Sequence, residues 1–167
     1  MNNLVLKYGL LGGLATVAYY LLFYFIDQRW MLSPWVAWSA MLFYPVAMVL
    51  ALRQDRSQSD GPYAFKQGLR TGFAVYVIAD VIYYAFYFVL FKYVDPGLVD
   101  VQQEMFLESL ENNPNLFGET NVENLRRQFQ QSEYKLTVGS VLQSLGLGLI
   151  GGFLIAAILA YWHREDK

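Results

Sequence analysis

Four long apolar segments alternate with shorter polar ones along the chain, at residues 8–26, 34–52, 67–91 and 136–162. At a rise of about 1.5 Å per residue, each segment is long enough as a helix to cross a hydrocarbon core of about 30 Å. A segment inside lipid has to be helical, because only a helix satisfies all of its own backbone groups. The pattern therefore predicts an all-α protein, a four-transmembrane-helix bundle that forms one integral membrane domain over residues 1–167.

The polar segment between the third and fourth spans, residues 93–135, predicts a short and mainly helical insertion. Asp95 directly before Pro96 is typical of a helix start, and Pro114 is expected to end that helix, so we expect it over residues 96–112. Thr120 and Glu123 fit a capping box that begins a second helix, which runs on towards the fourth span.

The first insertion helix is predicted to be amphipathic. Four acids fall on one stripe and apolar side chains fill the other side: Asp100, Glu104, Glu108 and Glu111 against Leu98, Val99, Val101, Met105, Phe106 and Leu110. Such a helix buries its apolar side, and anionic lipid would repel its acids. The outer rim of the bundle or a protein partner is therefore favoured, with Val101, Met105 and Phe106 as candidate partner-facing residues. Calcium binding is the alternative, but no tight acidic loop with a turn glycine accompanies the acids.

The basic residues beside the spans predict the orientation. If the N-terminus is cytoplasmic, seven of the twelve lie inside and five outside: Lys7, Arg53, Arg56, Lys66, Arg70, Arg164 and Lys167 against Arg29, Lys92, Arg126, Arg127 and Lys135. We therefore expect a multi-pass protein of the bacterial inner membrane with both termini in the cytoplasm and residues 93–135 outside it.

Composition narrows the function classes. The chain is 56% hydrophobic with a mean hydropathy of +0.27, so its apolar excess must face the lipid bilayer. A net charge of −2 without a run of basic residues disfavours nucleic acid as a partner. The absence of cysteine excludes disulfides and thiolate metal sites, and the single histidine, His163, leaves no pair for haem or zinc. With no nucleophile and base, metal triad or cofactor motif, we expect a protein that is not an enzyme and holds no cofactor or metal.

Three spans contain glycine pairs four residues apart: Gly9 and Gly13, Gly68 and Gly72, Gly148 and Gly152. Small residues at this spacing let helix backbones approach closely in lipid, where the hydrophobic drive between helices is small. Tight packing within one monomer is the favoured interpretation, and a face for a second copy or another membrane subunit is the alternative.

Asp80 is the ionisable residue that lies deepest within a predicted span. A charge at that depth costs on the order of 3 kcal/mol, so Asp80 should face the bundle interior. Tyr76, Tyr83, Tyr84 and Tyr87 lie along the same side of the helix and are possible donors. A carboxyl group held by these tyrosines, or by Gln143, Ser140 or Ser144 of the fourth span, is the favoured interpretation. A proton- or cation-coupling site is the alternative.

Several short motifs carry a family resemblance. They are Leu6-Lys7-Tyr8-Gly9-Leu10, Phe65-Lys66-Gln67-Gly68, Phe91-Lys92-Tyr93-Val94-Asp95-Pro96 with the acidic helix after it, and the glycine-rich last span that closes in charged residues. Together they resemble an uncharacterised bacterial family of short four-helix inner-membrane proteins, domain of unknown function 4199. The resemblance implies four spans and a Gram-negative envelope setting, and it implies no activity, ligand or catalytic residue.

The functional expectation is an accessory or scaffold subunit of a membrane complex. A small ion-coupled transporter or channel-like protein centred on Asp80 is the alternative. Copurification of stoichiometric partners would favour the first hypothesis, and a water-lined cavity that reaches Asp80 would favour the second.

Overall fold

The computed structural model describes residues 3–112 and 137–164, which form α-helices joined by short turns. The helices are α1 (Asn3–Ile26), α2 (Gln28–Met31), α3 (Pro34–Ala40), α4 (Phe43–Ser57), α5 (Phe65–Val89), α6 (Leu98–Asn112) and α7 (Val138–His163). A π-helical stretch, Leu90–Val94, extends α5. These described residues include four helices long and apolar enough to cross a membrane: Asn3–Ile26, Pro34–Ser57, Phe65–Val94 and Val138–His163. The all-α, four-span prediction is confirmed.

Several boundaries differ from those expected. The first span begins nearer the N-terminus, at Asn3, and the second continues to Ser57, into the polar segment that follows residue 52. The predicted second insertion helix, with Thr120 and Glu123, lies outside the described residues, as does the predicted stop at Pro114. Two ends of the bundle can be distinguished: the α6 end, which carries α2 and α6, and the terminus end, which carries Asn3 and His163.

The second span is broken between α3 and α4, at Met41 and Leu42. Pro45 accounts for the break, because it lacks the N–H that would bond the carbonyl of Met41 and its ring crowds that carbonyl. The amide of Leu42 bonds the carbonyl of Ser39, three residues back, at 3.1 Å. The two halves can therefore take different directions: α4 packs against α1, α5 and α7, whereas α3 packs against α1 and α2.

Helix α5 is the centre of the bundle and packs against α1, α4 and α7. Close seams surround it: a Cβ atom built on Gly9 or Gly13 would lie within 3 Å of Ile78 or Ile82 of α5. On the other side of α5, a Cβ atom built on Gly68 or Gly72 would lie 3.2 Å from the Cβ of Ala160 or 3.7 Å from the Cβ of Ala156, both in α7. These four glycines thus lie at contacts inside the monomer.

Helix α6 lies on the outer rim of the bundle. Leu98 and Leu110 are buried, and Leu98 packs with Met31, Leu90 and Phe91. Arg29 of α2 makes ion pairs with Glu104 and Glu108, at 3.2 and 3.0 Å. The rim contact expected for this helix is therefore present in the chain itself.

The predicted role of Asp95 as the cap of this helix is wrong. The helix begins at Leu98, two residues after Pro96, and the carboxylate of Asp95 instead accepts hydrogen bonds from Tyr24 and Gln28, at 3.1 and 2.7 Å. These bonds tie the segment before α6 to the end of α1 and the start of α2.

Candidate functional site

Asp80 lies near the middle of α5 with only 4% of its surface exposed. Tyr76 precedes it by four residues, and Tyr83 and Tyr84 come three and four residues after it, so the helical period puts all four side chains on one side. That side carries a cavity of about 470 Å³ between the spans. Its lining comes from all four spans: Thr16, Tyr20, Ala37, Trp38, Ala40, Met41, Tyr44, Tyr76, Asp80, Tyr83, Tyr84, Leu147, Gly148, Gly151 and Ile155.

Glycines of α7 bring that helix against Asp80 and Tyr76. A Cβ atom on Gly148 would lie 3.1 Å from Oδ2 of Asp80, and one on Gly152 would overlap the ring of Tyr76. The hydroxyl of Tyr76 donates to the carbonyl of Gly148 at 3.0 Å. Larger residues at these two positions would push α7 away from the floor of the cavity.

Oδ2 of Asp80 is buried and has no hydrogen-bond partner among the described residues. A buried acceptor without a partner typically costs about 1–3 kcal/mol, and more if it is charged. Tyr76, one of the four tyrosines named as possible donors, donates to the backbone of α7 instead. The site therefore holds an acceptor that the protein leaves unused.

The predicted polar partners from the fourth span do not join Asp80 in this cavity. Gln143 is exposed and does not line it, because the five residues from Gln143 to Gly148 turn the helix by roughly 500°, some 140° away from the α5-facing side. Ser140 and Ser144 line a neighbouring cavity nearer the α6 end. Of the predicted polar set, the structure brings Asp80, Tyr76, Tyr83 and Tyr84 together at one cavity, and Tyr87 lines the neighbouring one.

The neighbouring cavity extends the polar lining towards the α6 end. It has a volume of about 270 Å³ and shares Tyr83 and Tyr84 with the main cavity. Gln102 of α6 lines it too and accepts a hydrogen bond from Tyr87 at 3.1 Å. Hydroxyl and amide groups thus line the space between Asp80 and α6.

The opposite direction is closed. Towards the terminus end, Met48, Val75 and Ala156 come from three different helices and are fully buried in one apolar cluster. Fully buried apolar side chains of this kind typically exclude water. Polar side chains therefore lie on the α6 side of Asp80, and an apolar cluster lies on the terminus side.

The chain was compared with known families, curated proteins and solved structures. The profile of the family described as "Protein of unknown function (DUF4199)" matches residues 7–165, nearly the whole chain. The chain belongs to the DUF4199 family. No curated protein and no solved structure shows significant similarity to it. Membership in DUF4199 assigns no chemistry, so a function for this chain has to be argued from the geometry of its own residues.

The acidic stripe of this DUF4199 chain is partly neutralised by its own Arg29, which pairs with Glu104 and Glu108. Among the described residues, no three histidine, cysteine or acidic side chains are grouped closely enough to hold a metal ion. Of the candidate partner-facing residues, Val101 and Met105 are half-buried and Phe106 is 38% exposed.

A second buried carboxylate, Asp55, lies at the terminus end and was not identified from the sequence. It accepts hydrogen bonds from the hydroxyls of Tyr63 and Thr71, both at 2.7 Å. Burial, and then the bond to Asp55, raise the pKa of Tyr63, which keeps its phenol protonated as a donor. The helical period could have indicated that Asp55 is buried, because it lies three and four residues after buried Leu52 and Ala51. This cluster joins α4 to the start of α5.

Proposed function

We propose that this DUF4199 protein is a small, non-enzymatic, ion-coupled membrane protein in which Asp80 takes up and releases a proton or a cation. The observation that carries the proposal is that Asp80 lines a cavity of about 470 Å³ while its buried Oδ2 has no hydrogen-bond partner among the described residues. Ionisable side chains within spans are costly and typically mark ion and substrate pathways. A carboxyl group kept only for packing would be expected to bond a neighbouring helix, and Asp80 makes no such bond among the described residues.

The asymmetry around Asp80 supports a coupling role. Towards the α6 end, Tyr83, Tyr84 and Tyr87 provide hydroxyls that can exchange protons with water, whereas the apolar cluster around Met48 and Val75 blocks the terminus end. In alternating access, each state admits the ion to its site from only one side of the membrane, and a polar path on one side of Asp80 with an apolar block on the other fits that requirement. With the cytoplasmic termini favoured by the basic residues, the polar side of Asp80 faces outwards in an inner membrane.

The test is to replace Asp80 by its uncharged isostere. Asp80→Asn keeps the shape and the hydrogen-bonding capacity of the side chain, but it cannot exchange a proton or balance a cation. We expect this variant to fold with the melting temperature of the parent and to fail to rescue a deletion strain. Gln143→Ala is the matched control, because it alters an exposed polar residue outside the cavity, and it should rescue.

Rescue by Asp80→Asn would overturn the proposal and leave Asp80 as a packing residue. An unfolded Asp80→Asn protein would have the same consequence, because it would show that the carboxyl group is needed for the fold. Asp80→Leu then measures the packing contribution, since it removes both the charge and the hydrogen-bonding capacity.

An accessory or scaffold role is the second proposal, and the way α6 is fixed to the bundle favours it. Buried Leu98 and the hydrogen bonds of Asp95 hold this helix to the rim, while Glu104 keeps 64% of its side chain exposed. A rigid, acidic surface of this kind suits a basic surface on another subunit. The double variant Asp100→Lys and Glu104→Lys should then lose a stoichiometric partner that copurifies with the parent in mild detergent. Retention of that partner would contradict the role of α6.

A further inference from the structure

The lining of the Asp80 cavity offers negative charge and no positive charge among the described residues. Its described lining holds one ionisable acid, Asp80, and no lysine, arginine or histidine. An anionic ligand, or the phosphate of a zwitterionic lipid headgroup, would find no countercharge here. The side chain of Asp80 is more than nine-tenths buried, and its Oδ2 lacks a donor, so a positively charged donor is the complement that the site lacks.

Aromatic rings surround the carboxyl group. The ring centroids of Tyr44 and Tyr76 are 5.2 Å apart, and Tyr83 lies 5.2 Å from both Tyr20 and Tyr84. These five rings all line the cavity. The faces of aromatic rings attract cations, and groups of such rings are a common means of binding quaternary ammonium groups.

The volume argues for more than a bare ion. At about 470 Å³ the cavity is many times larger than the roughly 30 Å³ that one water molecule occupies. It lies in the range of about 300–1,000 Å³ that is usual for small-molecule sites. An inorganic cation or a proton would leave most of it unfilled, whereas an organic cation would use both the acid and the rings.

The mouth of the cavity lies between α3 and α7. Trp38, Met41 and Leu147 line the cavity and are 72%, 57% and 65% exposed, so its entrance is formed by large apolar side chains at membrane depth. This side of the cavity is lined by α3, by Met41 at the break before α4, and by α7. A ligand that enters here passes through the bilayer, which requires apolar substituents around its charge.

We propose that the ligand of this cavity is an amphiphilic organic cation, with its ammonium group on Asp80 and its apolar body among Tyr44, Tyr83, Tyr84 and Trp38. This inference rests on the proposed function, because it names the substrate of the same site. It also makes a separate claim: the site distinguishes a positively charged molecule from a neutral one of the same shape.

The experiment compares two such molecules on the purified full chain in detergent. Benzyltrimethylammonium and neopentylbenzene have nearly the same shape and differ in the charge of one central atom. Calorimetric titration should show binding of the cation and binding at least about tenfold weaker for the neutral isostere. Asp80→Asn should weaken cation binding by about thirtyfold or more, because it removes the partner of a buried charge. Tyr84→Leu should weaken it by about threefold to thirtyfold.

Tyr93→Leu is the control for loss of a tyrosine, since Tyr93 is exposed and lies outside the cavity. This variant should bind benzyltrimethylammonium with the affinity of the parent. Equal affinity for the cation and the isostere would overturn the inference and make the cavity an apolar site for lipid tails. Failure of the parent to bind benzyltrimethylammonium, tetramethylammonium and tetraphenylphosphonium would also overturn it.

The two proposals fail in different ways. If Asp80→Asn cannot rescue the deletion strain and none of the three cations binds, the coupling role stands and the organic-cation inference is wrong. If the cations bind through Asp80 and Asp80→Asn still rescues, the site is real and the coupling role is wrong.

Discussion

Replacing Gly152 by alanine adds one methyl group at the tightest contact between α7 and α5. The new Cβ atom would overlap the ring of Tyr76 at three of its carbon atoms. That ring cannot move aside easily, because Tyr44 packs on it with a centroid distance of 5.2 Å and its hydroxyl is bonded to Gly148. Overfilling a packed site of this kind typically costs about 1–3 kcal/mol, so we expect Gly152→Ala to lower the free energy of unfolding by that amount.

The neighbouring glycine provides a matched control. A Cβ atom on Gly151 would meet nothing within 4 Å, although the residue lies in the same turn of α7. Gly151→Ala should therefore leave stability unchanged or raise it slightly, because alanine favours a helix over glycine by up to about 1 kcal/mol. The same glycine-to-alanine change at adjacent positions should therefore destabilise the protein at residue 152 and not at residue 151.

Unfolding in mixed micelles, monitored by tryptophan fluorescence, measures both variants under identical conditions. A double variant adds a second check: Tyr76→Leu combined with Gly152→Ala should lose less stability than the sum of the two single variants, because removing the ring removes the overlap. If Gly152→Ala is as stable as Gly151→Ala, α7 does not approach Tyr76 as closely as the structure describes.

Three further predictions concern the two ends of the bundle. A cysteine introduced at Ser109 should react with a membrane-impermeant thiol reagent in intact cells and one at Ser57 should not; the reverse pattern would invert the orientation expected from the basic residues. Tyr63→Phe should lower the free energy of unfolding by about 1 kcal/mol, because Asp55 loses one of its two donors; stability equal to the parent would contradict this. Arg29→Ala should leave the melting temperature in detergent unchanged, since solvent screens its exposed ion pairs; a clear fall would show that the fold depends on the docking of α6.

The sequence by itself determined the four spans, because lipid permits only helices and each apolar segment is long enough to cross it. It also determined that Asp80, Tyr76 and Tyr84 share one side of α5, since the helical period is a consequence of backbone geometry. The break in the second span had a signal in Pro45, and the burial of Asp55 had one in its spacing from Leu52. Local chemistry and periodicity decide features of this kind.

Only the tertiary structure decided what faces Asp80. Helix α7 is apolar on all sides, so its sequence carries little record of which side meets protein and which meets lipid. The rotation and tilt of a span are set by packing against its neighbours, and this packing placed Gly148 and Gly152 on α5 and turned Gln143 away. The cavity depends on that rotation, because residues of α7 form one of its walls. The rotation is a property of contacts between helices, which a hydrophobic pattern read along one helix does not encode.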